Sequence, residues 1–307
     1  MAEISATLVR ELREKSGAGM MDCKKALKET NGSIEDAVDW LRTKGLASAA
    51  KKAGRVASEG LVGITTKGAS GAILEVNAET DFVARNDDFK SFVTNVTDLA
   101  IKAGDLDTLK STAYPDEGRN VEEQLTHMIA TVGENMALRR MSVLKVEKGI
   151  IASYMHNAIS SGIGKIGVLV ALQSEGDIDK LNALGKQLAM HIAAASPQSI
   201  SSDDLDHEVV ERERQILSDQ ARDSGKPEEI IKKMIEGRIR KFYEEVCLLE
   251  QTFVVDGESK ISEVLDRAVQ DLGCAVNINA FQRFALGEGI EKEKEDYASE
   301  VAALAGS

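Results

Sequence analysis

The residues with the clearest potential for chemistry are Thr80, Asp81, Phe82 and Val83, which place a carboxylate beside an aromatic ring. They follow segment 72–77, whose apolar residues predict a β-strand, and they open a stretch with helical spacing. Thr80 is expected to cap this helix through its hydroxyl, and Asp81 in the first turn suits the positive end of the helix dipole. A corner of this kind can reach into a partner protein.

A purely structural interpretation of the aromatic residue is also open. Phe82 is the first of five apolar residues at helical spacing, followed by Phe89, Val93, Val96 and Ala100. Apolar stripes on helices usually face the core. Spacing alone therefore favours a buried Phe82 over one that contacts a partner.

Residues 162–167 read GIGKIG and satisfy the pattern G-x-G-x-x-G. In a dinucleotide site this pattern opens a helix, whereas segment 168–172 predicts a strand. A P-loop is excluded as well, because Ile159 stands where the leading glycine belongs and Ile166 where Ser or Thr would bind magnesium. We therefore predict a glycine-rich hairpin turn and no nucleotide cofactor.

The sequence contains no recognisable metal or catalytic cluster. The four histidines are far apart and lack an H-E-x-x-H or acid-loop context: His127, His156, His191 and His207. Since His191 lies beside Leu188 and Ile192, a hydrogen-bonded core or partner-facing histidine is the better interpretation. The three cysteines form no C-x-x-C pair and predict free, mostly buried thiols: Cys23, Cys247 and Cys274. No Ser, Cys or Thr sits in a nucleophile elbow. We predict no cofactor, no metal and no enzymatic chemistry.

Composition indicates a protein partner. The 307 residues suffice for two or more compact units. They include 38 Lys and Arg against 51 Asp and Glu, a formal net charge of −13, which disfavours broad contact with nucleic-acid phosphates. The first residues do not resemble a signal peptide, and no apolar run approaches 18 residues. These features predict a cytoplasmic protein that binds neither nucleic acid nor membrane.

Residues 1–54 predict a small unit of three amphipathic helices. Ser33 is the expected N-cap of the third helix. Segment 44–55, rich in Ala, Lys and Gly, predicts a solvated helical linker. Met20 and Met21 either fill the three-helix core or lie on a surface that adapts to a partner, and the pattern leaves both open.

Two α+β units are expected next, at 55–148 and 149–286, and the similarity of segments 137–141 and 280–284 indicates a weak internal duplication. The first unit is expected to contain strands at 60–67, 72–77 and 136–146 and helices from residue 80 and at 121–132. The second is expected to contain strands at 150–156, 165–172 and 275–286 and a helix at 178–195.

The second unit carries an insertion at about 203–246 that predicts an antiparallel helical hairpin with its turn at 224–226 and Pro227 at the first helical position. The apolar residues expected in its seam are Leu205, Val209, Ile216, Ile231, Met234, Ile235, Ile239 and Phe242. A C-terminal helical module is expected at 287–307, with its helix at 290–304. The predicted fold class is α+β.

Several segments carry a resemblance to a known family. They are 8–13, 17–27, 77–86, 190–194, 225–228 and 236–238. In this order, and spread over nearly the whole chain, they closely resemble bacterial translation elongation factor Ts. The resemblance implies an N-terminal ubiquitin-associated-like module, two related core subdomains with the hairpin insertion, and a C-terminal helical module. It also implies a guanine-nucleotide exchange factor that binds elongation factor Tu in its GDP form and promotes GDP release so that GTP can bind.

The resemblance extends to individual residues. Asp81 and Phe82 are similar to the pair that enters the GTPase near its magnesium and phosphate site, Phe82 as a wedge and Asp81 as a charge that dislocates the metal. Thr80 and Val83 complete that loop. The other docking residues it implies are Met20, Met21, His156 and Gly167. The chain is longer at 160–162 than the compact family pattern, which bears on contacts near His156.

Two other classes of function stay open at this point. A non-catalytic adaptor of the ubiquitin-associated type would account for residues 1–54 but not for a duplicated core. A small-molecule enzyme would need a pocket with converging polar groups, and the sequence shows no such cluster. The sequence also leaves open whether the chain forms a homodimer or a 2:2 complex with the GTPase.

Overall fold

The computed structural model describes residues 4–16, 18–222 and 227–291. These residues form eleven α-helices and two antiparallel sheets. The predicted α+β class is confirmed. The helix predicted at 290–304 lies almost entirely outside the described residues, as does the hairpin turn at 224–226.

The N-terminal part consists of three helices, α1 (Ala6–Ser16), α2 (Met20–Glu29) and α3 (Ile34–Lys52). They pack around a small core of residues such as Leu12, Leu27 and Ala37. Ser33 caps α3 as predicted, because its side chain accepts a hydrogen bond from the Asp36 amide at 3.3 Å.

The first sheet is built on a hairpin of β1 (Glu59–Lys67) and β2 (Ser70–Ala78). The register pairs Lys67 with Ser70, so the turn has two residues, and Gly68 takes a φ of +61° that suits glycine. The elements that follow are α4 (Asp81–Arg85), α5 (Asp87–Ala103), α6 (Leu106–Ser111), α7 (Val121–Val132) and β3 (Met136–Lys145). Strand β3 pairs with β2, and the helices cover one face of the sheet.

The linker predicted at 44–55 is wrong in one respect. Helix α3 runs unbroken to Lys52, and one face of its second half packs on α7 instead of facing solvent. Gly45 is buried, and a Cβ there would lie 3.4 Å from the Cβ of Ala130. Lys52 donates to the Ile129 carbonyl at 3.2 Å. The small residues at this crossing explain the error, because a packing face that includes Gly45 and Ala49 gives no hydrophobic stripe.

The second sheet contains β4 (Gly149–His156) and two later strands. After β4 come the short β5 (Ile163–Gly164), β6 (Ile166–Ser174), α8 (Ile178–Ala195), α9 (His207–Arg222), α10 (Glu228–Val246), α11 (Ile261–Leu272) and β7 (Val276–Ala285). The order is β4-β6-β7, which repeats the order β1-β2-β3 of the first sheet. Strand β5 departs from this plan and pairs with β1, so the connection between β4 and β6 reaches across to the first sheet.

The two sheets pack face to face between layers of helices. Along β6, Leu169 and Ala171 point towards the first sheet, while Val168 and Val170 point towards α8. This alternation follows from the two-residue period of a strand. Both faces are buried, so the strand is one continuous apolar run.

The hairpin of α9 and α10 forms as predicted, but its seam on α9 is shifted by one residue. Val210 and Leu217 are buried, whereas Ile216 is exposed and Val209 only half-buried. The two buried residues are seven apart and keep a coiled-coil spacing that neighbouring apolar residues had obscured. Pro227 occupies the N-cap and not the first helical position.

Candidate functional site

The corner at 80–83 connects β2 to the short helix α4. Thr80 is the N-cap residue in an extended conformation, and Asp81 begins the helix. Val83 and Ala84 are buried in the core beneath α4, whereas Phe82 is 75% exposed. The Asp81 carboxylate is half-exposed and pairs with Arg85 one turn later at 3.0 Å. An apolar ring and a carboxylate therefore lie side by side on the surface.

Spacing alone predicted a buried Phe82, and that prediction is wrong. Asn86 interrupts the helix, with a backbone ψ of 133°, and its side chain caps α5 by accepting from the Asp88 and Phe89 amides at 2.8 and 3.1 Å. The buried stripe therefore begins at Phe89 and does not include Phe82. The break at Asn86 turns α4 out of register with the stripe of α5.

The predicted cap at Thr80 is also wrong in its chemistry. The Thr80 hydroxyl accepts no helix N–H. It donates to Glu134 Oε1 at 2.7 Å, and the Thr80 backbone N–H donates to Glu134 Oε2 at 3.0 Å. Sequence reasoning missed Glu134 because its partner lies 54 residues away. The one local signal is its position between Gly133, which ends α7 in a left-handed conformation, and the start of β3.

The predicted docking residues occupy three different settings. Met20 and Met21, at the start of α2, are 61% and 74% exposed, so the interpretation as core residues is wrong. His156 is exposed at the end of β4, with its Nδ1 3.3 Å from the Tyr154 hydroxyl. Gly167 is buried between the sheets, where a Cβ would approach Ile64 Cγ2 to 2.8 Å. A docking role does not fit that position, and its lack of a side chain serves sheet packing.

His191 is a hydrogen-bonded core histidine, one of the two interpretations offered above. Its Nδ1 accepts from the Val254 amide at 3.3 Å, which leaves the proton on Nε2 to be donated to Gln251 Oε1 at 2.9 Å. Burial lowers the pKa of the imidazole, and the hydrogen bond to Gln251 opposes this only in part. His191 is therefore a neutral structural residue.

A second carboxylate that was missed is Glu75 in β2, which is fully buried. It accepts hydrogen bonds from Arg139 at 2.9 Å, Arg140 at 2.6 Å, Asn77 at 3.1 Å and the Gly287 amide at 2.8 Å. Burial alone would raise the pKa of Glu75, but these hydrogen bonds outweigh it and hold the pKa below its usual value. The signal was an acid inside an apolar run, since a buried charge needs partners.

The described part of the chain also bears on metal ligands, membrane spans, the cysteines and the glycine-rich segment. Within residues 4–16, 18–222 and 227–291, no three His, Cys, Asp or Glu side chains converge as metal ligands. In the same ranges, every helix is too short or too polar to cross a bilayer. The three cysteines are free thiols, two buried and one half-buried. Strand β6 follows the glycine-rich segment, as predicted, in place of a nucleotide-binding helix.

Comparison with known proteins gives the family. The model of the family described as Elongation factor TS matches residues 79–288, which include the exposed corner and Glu134. The chain belongs to the elongation factor Ts family. The Elongation factor Ts of Rhodospirillum rubrum is 63% identical over 305 residues, covering 99% of each chain. That of Rhodospirillum centenum is 61% identical over 307 residues, covering 100% of both, and that of Paramagnetospirillum magneticum is 60% identical over 308 residues, covering 100% of this chain and 99% of its own.

Membership in the elongation factor Ts family gives the corner a context. The family match begins at residue 79, one residue before Thr80. It continues through the second sheet and ends at Glu288, whose backbone carbonyl accepts a hydrogen bond from Arg139, a partner of Glu75. The three relatives extend the similarity over the N-terminal helices as well.

Proposed function

We propose that this chain is a guanine-nucleotide exchange factor for elongation factor Tu and not an enzyme with covalent chemistry of its own. Elongation factor Ts proteins exchange nucleotide on elongation factor Tu during translation elongation. The chain binds the GTPase in its GDP form and promotes GDP release so that GTP can bind. The single observation that carries the role at residue level is Phe82, an aromatic ring 75% exposed on a corner that the family match includes.

Exchange by this route is differential binding. The factor must prefer the nucleotide-free GTPase, and thermodynamic linkage makes the effect reciprocal, so GDP weakens factor binding as much as the factor weakens GDP binding. Shifting such an equilibrium by 10⁴ requires about 5.5 kcal/mol of differential contact. A single aromatic side chain cannot supply this, so several surfaces contribute.

We assign the displacement step to Asp81 and Phe82. Phe82 acts as a wedge between side chains near the magnesium and phosphate site of the GTPase, and the Asp81 carboxylate disturbs the metal. Thr80 and Val83 support them from within, since Val83 is 4% exposed and packs in the core. The pairing of Asp81 with Arg85 is solvent-exposed and therefore weak, so it can open on binding.

Docking falls to the remaining parts of the molecule. We propose an N-terminal ubiquitin-associated-like module at 1–54, core subdomains at 55–148 and 149–286 and a C-terminal module at 287–307. Met20 and Met21 on the first module and His156 on the second subdomain are the contact residues, and Gly167 is omitted because it is buried. The exposed methionines support this role, since their flexible thioether side chains adapt to varied surfaces. An adaptor built on the N-terminal helices alone would leave the corner at 80–83 without a role.

The proposal is tested by nucleotide release. Elongation factor Tu loaded with a fluorescent GDP analogue is mixed with excess unlabelled GTP and increasing amounts of the chain. The release rate should rise with concentration and reach a plateau. If no concentration accelerated release, the exchange function would be refuted.

The same assay tests the magnesium step with Asp81→Ala. In magnesium the variant should release GDP more slowly than the unsubstituted chain, and in chelator the ratio of the two rates should approach one. A contact that acts on the metal cannot accelerate release once the metal is gone. Equal ratios in both conditions would separate Asp81 from the metal.

A further inference from the structure

The approach to the exposed corner is held by one side chain from a distant part of the sequence. Glu134 uses both carboxylate oxygens on Thr80, Oε2 for its backbone N–H at 3.0 Å and Oε1 for its hydroxyl at 2.7 Å. Hydrogen bonds to an ionised acceptor are stronger than those between neutral groups. Thr80 is thus fixed by its main chain and its side chain together.

The neighbouring acid, Glu79, joins the same two chain segments with the donor and acceptor sides exchanged. Glu79 accepts from the Asn135 backbone N–H and lies 3.4 Å from the Arg55 guanidinium. The regular pairing of β2 with β3 ends at Ala78 and Met136. Beyond these residues, the carboxylates of Glu79 and Glu134 accept hydrogen bonds as backbone carbonyls do within a strand pair. The two chain segments therefore stay joined up to Thr80, the residue before α4.

We propose that Glu134 is a positioning residue for nucleotide exchange that acts on the GTPase through the orientation of Asp81 and Phe82. This inference rests on the exchange function proposed above. Helix α4 has only five residues, and its ends are fixed by Asn86 on one side and by the Glu134 clamp on Thr80 on the other. Removal of Glu134 frees the end that precedes the contact residues.

The cost should appear in exchange and not in folding. Thr80 and Glu134 are both only half-buried, so water can replace the lost hydrogen bonds. The exposed Phe82 ring must enter the GTPase in one orientation. If the ring were free to move before contact, ordering it on binding would cost free energy and weaken binding in the activated complex. The other proposed docking residues, Met20, Met21 and His156, lie in other elements, so docking should not depend on Thr80.

The test measures the plateau rate of GDP release and the half-saturating concentration of the chain for several variants of the full-length protein. Glu134→Ala should lower the plateau about tenfold and leave the half-saturating concentration within about twofold. Glu134→Gln should lie between, since one amide oxygen can still accept one hydrogen bond from Thr80. Glu122→Ala removes an exposed acid from α7 as a charge-matched control and should behave like the unsubstituted chain.

The decisive comparison uses a background in which Asp81 and Phe82 are both replaced by Ala. There, Glu134→Ala should cost nothing further, because both side chains through which it acts are already absent. An equal loss on both backgrounds, or a full plateau rate for Glu134→Ala alone, would overturn the positioning role. The role would also be overturned if Glu134→Ala lowered the melting temperature so far that the loss of folded protein accounted for the loss in rate. If the unsubstituted chain gave no acceleration, the exchange function would fail first, and the positioning role with it.

Discussion

Two phenylalanines seven residues apart offer a sharp test of the site. Phe82 is 75% exposed, whereas Phe89 is fully buried in the core of the first sheet. Complete burial of a phenylalanine side chain stabilises by about 1.5–3 kcal/mol, so the quarter that Phe82 buries is worth about 0.4–0.8 kcal/mol. Truncation of Phe89 also opens a cavity and should cost about 3–5 kcal/mol.

Activity should show the reverse order. Truncation of an aromatic residue at the centre of an interface costs about 2 kcal/mol or more, which corresponds to about a thirtyfold loss in rate if the contact is made in the activated complex. Phe82→Ala should therefore slow the plateau rate of GDP release about thirtyfold while its urea unfolding curve stays close to that of the unsubstituted chain. Phe89→Ala should unfold at much lower urea but retain exchange under conditions where it is folded.

The measurements are circular dichroism in urea and stimulated GDP release, made on the same preparations. A loss of about 3 kcal/mol or more in the free energy of unfolding for Phe82→Ala would show that the ring is a core residue. Full exchange activity of a well-folded Phe82→Ala variant would remove the ring from the mechanism. Either result would refute the assignment.

Three further substitutions test the fold that carries the site. Glu75→Gln should lower the free energy of unfolding by about 1.5–3 kcal/mol at neutral pH, because Arg139 and Arg140 lose their hydrogen bonds to a buried carboxylate. The pKa of Glu75 is lowered in the fold, so this contribution is complete above the unfolded pKa of about 4.3 and is lost as pH falls through the folded value. Urea curves of both proteins should therefore converge in acid, and a constant difference would contradict the ion pairing. Gly167→Ala should cost about 1–3 kcal/mol through overlap with Ile64, whereas Gly237→Ala in α10, where a Cβ meets nothing within 4 Å, should stabilise by about 0.5–1 kcal/mol. Thermal melts of the pair check both signs.

The regular elements were readable from local pattern. Helix α7 was predicted at 121–132 from the apolar residues on one of its sides, and these are its observed bounds. The structure gives them a local cause, because Asn120 and Glu123 form a capping box at the start and Gly133 ends the helix. Helix α8 was likewise predicted at 178–195, from an unbroken apolar stripe. Helix α11 was overlooked even though Ile261, Val264 and Leu265 have helical spacing. The local signal for α11 is therefore present in the sequence.

Features set by distant contacts could not be read in this way. Strand β5 has two residues and exists only because β1 lies beside it. Glu134 and Thr80 meet across 54 positions, and nothing local to either residue names the other. The helix break at Asn86 was the intermediate case, since Asn is a good N-cap and Asp87 and Asp88 follow it, which is a helix-start signal inside an apolar stripe.

The short similarity that predicted an internal duplication is misaligned with the strands. The similarity of 137–141 to 280–284 aligns residues 143 positions apart. A β-bulge leaves Arg139 of β3 without a partner residue on the neighbouring strand, and another does the same for Asn279 of β7. These two positions are 140 residues apart, so the bulges align the two strands at a spacing of 140. Helices α7 and α11 begin at Val121 and Ile261, with the same spacing. Similar composition in two half-buried strands produced a false register, which the hydrogen-bond pattern corrects.

The apolar layer between the two sheets is completed late in synthesis, and its residues can promote aggregation until then. Val62 and Ile73 in this layer come from the first hairpin, but Leu169 and Phe284 come from strands that emerge from the ribosome much later. Translation proceeds from the N-terminus, and domains fold as they appear. The first sheet therefore forms before the second, and one of its apolar faces stays uncovered until the second sheet has been synthesised. A chain that stalls before β7 presents an incompletely covered face to chaperones and to other nascent chains, so a factor of the translation machinery is itself exposed to faults in elongation.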